Sequence, residues 1–150
     1  MSAFKVIMDV CFAAALLLCA DSDRRIHEIP VLFLWSVALP GLLQFGYALG
    51  AGASIWPYLC AAPVFALLLA FWHRGFIGGG DVKLMALMCF YTGIHQAVVG
   101  FAITALILGG YCVYQRVHHK DNAQKLIPLA PSLALGSIGT LAVQYITALT

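Results

Sequence analysis

Charge is what this sequence has least of. Only 9% of its 150 residues are Asp, Glu, Lys or Arg, against about 25% in a typical soluble domain, too few to cover a water-facing surface. With 63% of residues hydrophobic, the composition is that of a polytopic membrane protein. The eight basic residues are dispersed and the net charge is only +2, which gives no basic face for nucleic acid. Paired cysteines are missing as well. Cys11, Cys19, Cys60, Cys89 and Cys112 stand singly in or near apolar runs, without a C-x-x-C pair, so neither a zinc site nor a disulfide framework is expected. No small residue precedes Cys19 and Asp9 interrupts the first apolar run, so the N-terminal segment reads as a membrane helix rather than a signal peptide. Repeats, low-complexity tracts and linkers are absent too, and residues 1–150 are expected to form one integral-membrane domain.

What is present is a series of apolar stretches, at about 4–20, 31–50, 55–72, 82–96, 97–115 and 127–149. Most reach the roughly 17–25 residues that span a hydrocarbon core. The fourth is short, about 23 Å as a helix. The links between stretches show that it crosses nonetheless. Arg24 and Arg25 lie on the first link, Arg74 and Lys83 flank the third, and Arg116, Lys120 and Lys125 lie on the fifth, so seven of the eight basic residues fall on alternate links. The links near Ala53 and Thr92 carry no charge. The positive-inside rule then puts links one, three and five in the cytoplasm and both termini outside. The expected fold is an all-α bundle of about six transmembrane helices.

This topology sorts the acids. Asp21, Asp23, Glu28, Asp81 and Asp121 belong to cytoplasmic links or helix mouths, and only Asp9 sits within a span. An intramembrane acid is costly and often functional, and Asp9 has its simplest account near the outer interface. At the mouth of the fourth stretch the chain reads GFIGGGDVKLMALM, Gly75 to Met88. A P-loop is excluded because Asp81 stands where the lysine after Gly80 is required, and a dinucleotide fingerprint because Lys83 replaces its third glycine. Alone, Gly78-x-Gly80-Asp81 is most simply a helix start with Asp81 as the N-cap. The alternative is that a bare backbone lets a substrate strand approach the carboxylate. On that reading Gly79, at the variable position, tolerates a side chain better than Gly80.

A second cluster favours the alternative: Asp23-Arg24-Arg25 followed by Ile29-Pro30. Together the two clusters resemble the type IV prepilin peptidases, intramembrane aspartyl proteases whose motifs are Asp-x-Arg before Ile-Pro, and G-x-G-D with a lysine two residues on. IPLAPSLALG, Ile127 to Gly136, is similar to the family's C-terminal pattern. Val31 stands where the family usually has asparagine, and Ala130 where it often has glycine. The resemblance is to the short, peptidase-only members of tight-adherence (Flp-type) pilus systems. It implies leader cleavage without a methyltransferase domain, with Asp23 and Asp81 as the catalytic dyad. Gly78, Gly80, Lys83, Arg25 and Glu28 are then expected to bind substrate or support the site, with a prepilin and membrane lipid as partners. The implied location is the bacterial inner membrane, with the site at its cytoplasmic face.

The chemistry is consistent with that resemblance. Two carboxylates hydrolyse a peptide bond when one is ionised and the other protonated, a split that proximity and poor solvation enforce. No metal or cofactor is expected. Asp21 is the rival for the first position, two residues too far from Ile29-Pro30. The competing function is a small transporter or channel subunit using Asp9, Asp23 and Asp81 as cation or proton sites.

Overall fold

The computed structural model describes residues 3–26, 29–75, 77–118 and 129–149. The described residues are helical with no strand: α1 (Ala3–Ile26), α2 (Val31–Gly50), α3 (Trp56–Leu59), α4 (Ala61–His73), α5 (Gly79–Thr92), α6 (Ile94–His118) and α7 (Leu129–Leu149). Five stretches are long and apolar enough to cross a membrane: α1, α2, α3 with α4, most of α6, and most of α7. The protein is multi-pass. Glu28, Lys120, Asp121, Lys125, Ile127 and Pro128 lie outside the described residues.

The helix boundaries follow local chemistry. α1 extends past the apolar run through Asp21–Arg25, where Asp21 pairs with Arg25 one turn on. Arg24 and Arg25 also oppose the negative end of its dipole. The third span breaks at Cys60 because Pro63, in the first turn of α4, has no N–H to offer the Leu59 carbonyl. The boundary expected between residues 96 and 97 falls earlier, at Gly93, the single residue between α5 and α6. Its φ of 77°, readily adopted by glycine, reverses the chain, and His95 and Gln96 belong to α6.

The short α5 is the central helix, packed against α2, α3, α4, α6 and α7. Its first turn lies beside Asp23, with which Asp81 shares a pocket, and Tyr91 in its last turn donates to Asp9. Asp9 and Asp23 are separated on α1 by about 21 Å of helix rise. The 14 residues of α5 therefore run antiparallel to α1 over that depth. Neighbouring helices cover a segment too short to face lipid along its whole length.

Asp9 lies at the end of the bundle that carries the uncharged links, sharing a pocket with Ala53, Ser54 and Gly93, but it does not face outward. It is 4% exposed and accepts hydrogen bonds from Tyr91 Oη on α5 at 2.5 Å and Tyr145 Oη on α7 at 2.7 Å. One carboxylate thus ties together the three helices that meet again at Asp23. Toward Asp23, α1 presents Phe12, Leu16 and Cys19, each fully buried, in a core with Leu84 and Met88 of α5 and Leu133 of α7. Phe12 also stacks on Tyr91 at 3.9 Å between ring centroids.

Close approach of α6 and α7 depends on a glycine. A Cβ on Gly136 would fall 2.5 Å from the Gly100 carbonyl oxygen, whereas one on Gly139 would be 3.9 Å from Ile103. Backbone cannot yield as a side-chain tip can, and small residues are what permit such helix contacts in membranes. Gly136→Ala is therefore expected to lower the melting temperature in detergent, followed by loss of the monodisperse size-exclusion peak. Gly139→Ala should melt like the parent protein.

Candidate active site

Asp23 and Asp81 come from distant parts of the chain to line one pocket of about 350 Å³, with Ile29, Gly78, Gly80 and Lys83 among its walls. Asp23 is buried at 9% exposure, on the inner face of the last turns of α1. Asp21 lies two residues earlier, about 200° around the helix. Its side chain is 60% exposed and its carboxylate holds the Arg25 guanidinium at 2.9 Å. The rival acid therefore faces away from the pocket. Arg25, expected to support the site, is engaged with Asp21 on the exposed face instead.

Asp23 Oδ2 accepts the backbone N–H of Ala130 at 3.1 Å. Ala130 is in the first turn of α7, where amide hydrogens have no intrahelical acceptor and the helix dipole favours negative charge. The sequence offered no sign of this contact, because a backbone donor is not marked by its side chain. The nearest signal is the Ile127-to-Gly136 pattern, in which Ala130 stands where the resemblance often has glycine.

Asp81 does not cap α5. Gly78 occupies the N-cap position, with an extended backbone (φ −66°, ψ 144°), and Asp81 follows in the first turn. It lies ahead of the apolar run that begins at Val82, at the open end of the bundle. Burial and then the neighbouring Asp23 charge push its carboxyl up to about 6. Asp81 is thereby easier to protonate than an ordinary aspartate, while Asp23 faces the amide of Ala130. Two carboxylates in unequal surroundings can share one proton without competing for the same role.

The glycines beside Asp81 matter for space rather than for turning, and unequally. Among the described glycines of this connection, positive φ occurs at Gly75 (76°), where the chain leaves α4. A Cβ on Gly78 would lie 3.1 Å from Asp81 Oδ2, one on Gly79 3.2 Å from Trp72 Nε1, and one on Gly80 3.7 Å from the Ile29 side chain. The steric order for alanine therefore reverses the expected one, with Gly80 roomier than Gly79. Lys83, exposed, reaches the pocket rim with Val31, which stands on the rim where the resemblance calls for asparagine. Glu28 lies outside the described residues. Among the described residues no three His, Cys, Asp or Glu side chains gather as a metal site.

Comparison with known proteins gives this geometry a context. Residues 10–113 match the model of a family described as the type IV leader peptidase family. The chain is also 29% identical over 138 residues to a Bacillus subtilis (strain 168) protein named prepilin leader peptidase/N-methyltransferase. That alignment covers 86% of this chain and 52% of the relative, so the chain spans about half the length of the curated relative it matches. No solved structure matches.

Proposed function

Because the chain belongs to the type IV leader peptidase family, we propose that it is an aspartyl endopeptidase that removes the short basic leader of Flp-type prepilins at the cytoplasmic face of the inner membrane. The observation that carries this reading is the meeting of Asp23 and Asp81 in one pocket, one held against the Ala130 amide and the other raised toward protonation. The name of the Bacillus relative joins peptidase and methyltransferase. The residues of this chain supply a reading for the peptidase part.

In the proposed reaction, Asp23 takes a proton from a water molecule held between the carboxylates as its oxygen attacks the scissile carbonyl carbon. Asp81 gives its proton to the carbonyl oxygen. Collapse of the tetrahedral intermediate breaks the C–N bond, with Asp23 returning its proton to the leaving nitrogen and Asp81 recovering one from the hydroxyl. Gly78 and Gly80 keep the wall beside Asp81 low enough for an extended substrate backbone. Water reaches the pair from the open end of the bundle.

The transporter reading draws little support from the same geometry. Asp9 is tied to two tyrosines, and the fully buried Phe12, Leu16 and Cys19 lie between it and Asp23 on α1. A cation path through all three acids would have to cross that apolar layer.

Incubating the purified protein in detergent with an Flp-type prepilin should yield a product shortened by the leader, read by mass spectrometry. An intact prepilin after prolonged incubation with folded protein overturns the proposal. Orientation has its own test. In a background cleared of native cysteines, a cysteine at position 53 should label from the periplasmic side only and one at position 24 from the cytoplasmic side only. The reverse pattern would remove the dyad from the cytoplasmic face.

A further inference from the structure

α2 and the α3–α4 pair both pack on α5, but they leave a strip of it uncovered between them. The strip is the floor of a groove of about 580 Å³, with Ala86 and Phe90 on α5, Leu34 and Trp35 on α2, and Ala62 and Phe65 on α4. Its lining is apolar except for Lys83 and the phenol of Tyr58. The groove is continuous with the candidate active site: Val31, Leu34 and Lys83 line both it and the dyad pocket. From Lys83 to Phe90 the floor runs about 10 Å, two helical turns, away from the carboxylates into the apolar depth of the bundle.

A surface of this form selects the chemistry of its occupant. The occupant must be apolar along the groove and polar where it reaches Asp23 and Asp81. Alanines at positions 62 and 86 allow a helix backbone to come near, and the flanking aromatics Trp35 and Phe65 can grip its sides. A lipid chain would fit the apolar floor, but gives no account of why the groove opens into the carboxylate pocket. A polypeptide whose character changes from polar to apolar beside the scissile bond accounts for both.

Resting on the prepilin reading above, we propose that the α2/α4/α5 groove seats the first two turns of the substrate's apolar transmembrane helix, just C-terminal to the scissile bond. This helix-in-groove contact sets the register in which the peptide bond meets the dyad. Recognition of the membrane helix is thereby separated from chemistry at the carboxylates.

The test uses the full chain and a prepilin retaining its membrane helix. Ala62→Phe and Ala86→Phe fill the groove and should raise KM for that prepilin at least about tenfold. Leu106→Phe, on the outer face of α6, should leave KM unchanged. Because a filled groove could disturb folding, a second measurement replaces Phe65 or, as control, Leu106 with the photo-crosslinker benzoylphenylalanine in an Asp81→Asn background. Position 65 should capture the prepilin through its apolar helix, and position 106 should not. If the parent protein cleaves prepilin but the filled variants keep its KM, or position 65 captures only lipid or a second copy of the chain, the groove proposal is overturned and the peptidase reading stands. If the folded parent protein does not cleave prepilin, both fall together.

Discussion

Asp23→Asn and Asp81→Asn are each expected to lower prepilin cleavage by at least about 10²–10⁴-fold, the range for loss of a positioned acid or base. Asparagine keeps the size of aspartate, and at position 23 it still offers an oxygen to the Ala130 N–H. The bundle should therefore fold and only the proton chemistry be lost. The double variant should be no slower than either single one, since groups acting as one catalytic unit are strongly non-additive. Asp21→Asn should remain active because its side chain faces outward against Arg25. The pH profile supplies a further check. In the proposed reaction Asp81, raised to about 6 by burial and by Asp23, is the acid while protonated, so the rate should fall as rising pH strips that proton. The midpoint of this alkaline limb should lie above the ordinary carboxylate range and belongs to the pair rather than to one residue. Rates close to those of the parent protein in both single asparagine variants would remove the dyad assignment altogether.

The second large effect is expected at Gly78. A methyl group there would press on Asp81 Oδ2 from 3.1 Å, and the carboxylate, rather than the backbone, is the part able to move. Relief of that contact needs a shift of a few tenths of an ångström, and a misplacement of 1 Å costs about 100-fold in rate when reacting groups must be aligned. Gly78→Ala should accordingly lower kcat by roughly 3- to 10-fold with little change in KM or folding, and Gly78→Val by more. Gly80→Ala has ordinary van der Waals room beside Ile29 and should be the mildest of the three alanine variants. Gly79→Ala should fall between them, because Trp72 is half exposed and can give way. The φ of −66° at Gly78 is open to any residue, so backbone strain cannot explain such a loss. A Gly78→Ala protein with the parent kcat would show that the carboxylate does not need this space.

The parts of the molecule legible in the sequence are those governed by local rules. A membrane helix satisfies its own backbone hydrogen bonds and must be apolar over a set length, so composition and alternating basic links were enough to outline a helical bundle, five stretches of which are long and apolar enough to cross. The short fourth segment, which charge alternation requires to cross, is a separate helix of 14 residues at the centre of the bundle. The position of Asp81 was less legible. The preference of aspartate for N-caps is real, but Gly78 begins the helix and leaves the carboxylate in its first turn, facing the pocket.

Sequence determined the solvent of this protein, its all-helical bundle and the two segments that carry its acids, since each depends on the chemistry of a few adjacent residues. Tertiary structure decided what those acids meet. Two residues of helix phase turn Asp21 outward and Asp23 inward, and α7 supplies an amide to Asp23 from more than a hundred positions away. Tyr91 and Tyr145, likewise distant in the chain, convert Asp9 from an unexplained acid into the joint of three helices. Such partners are chosen by which faces pack together. A backbone N–H or a tyrosine hydroxyl has the same chemical identity wherever it occurs, and only packing gives it a direction.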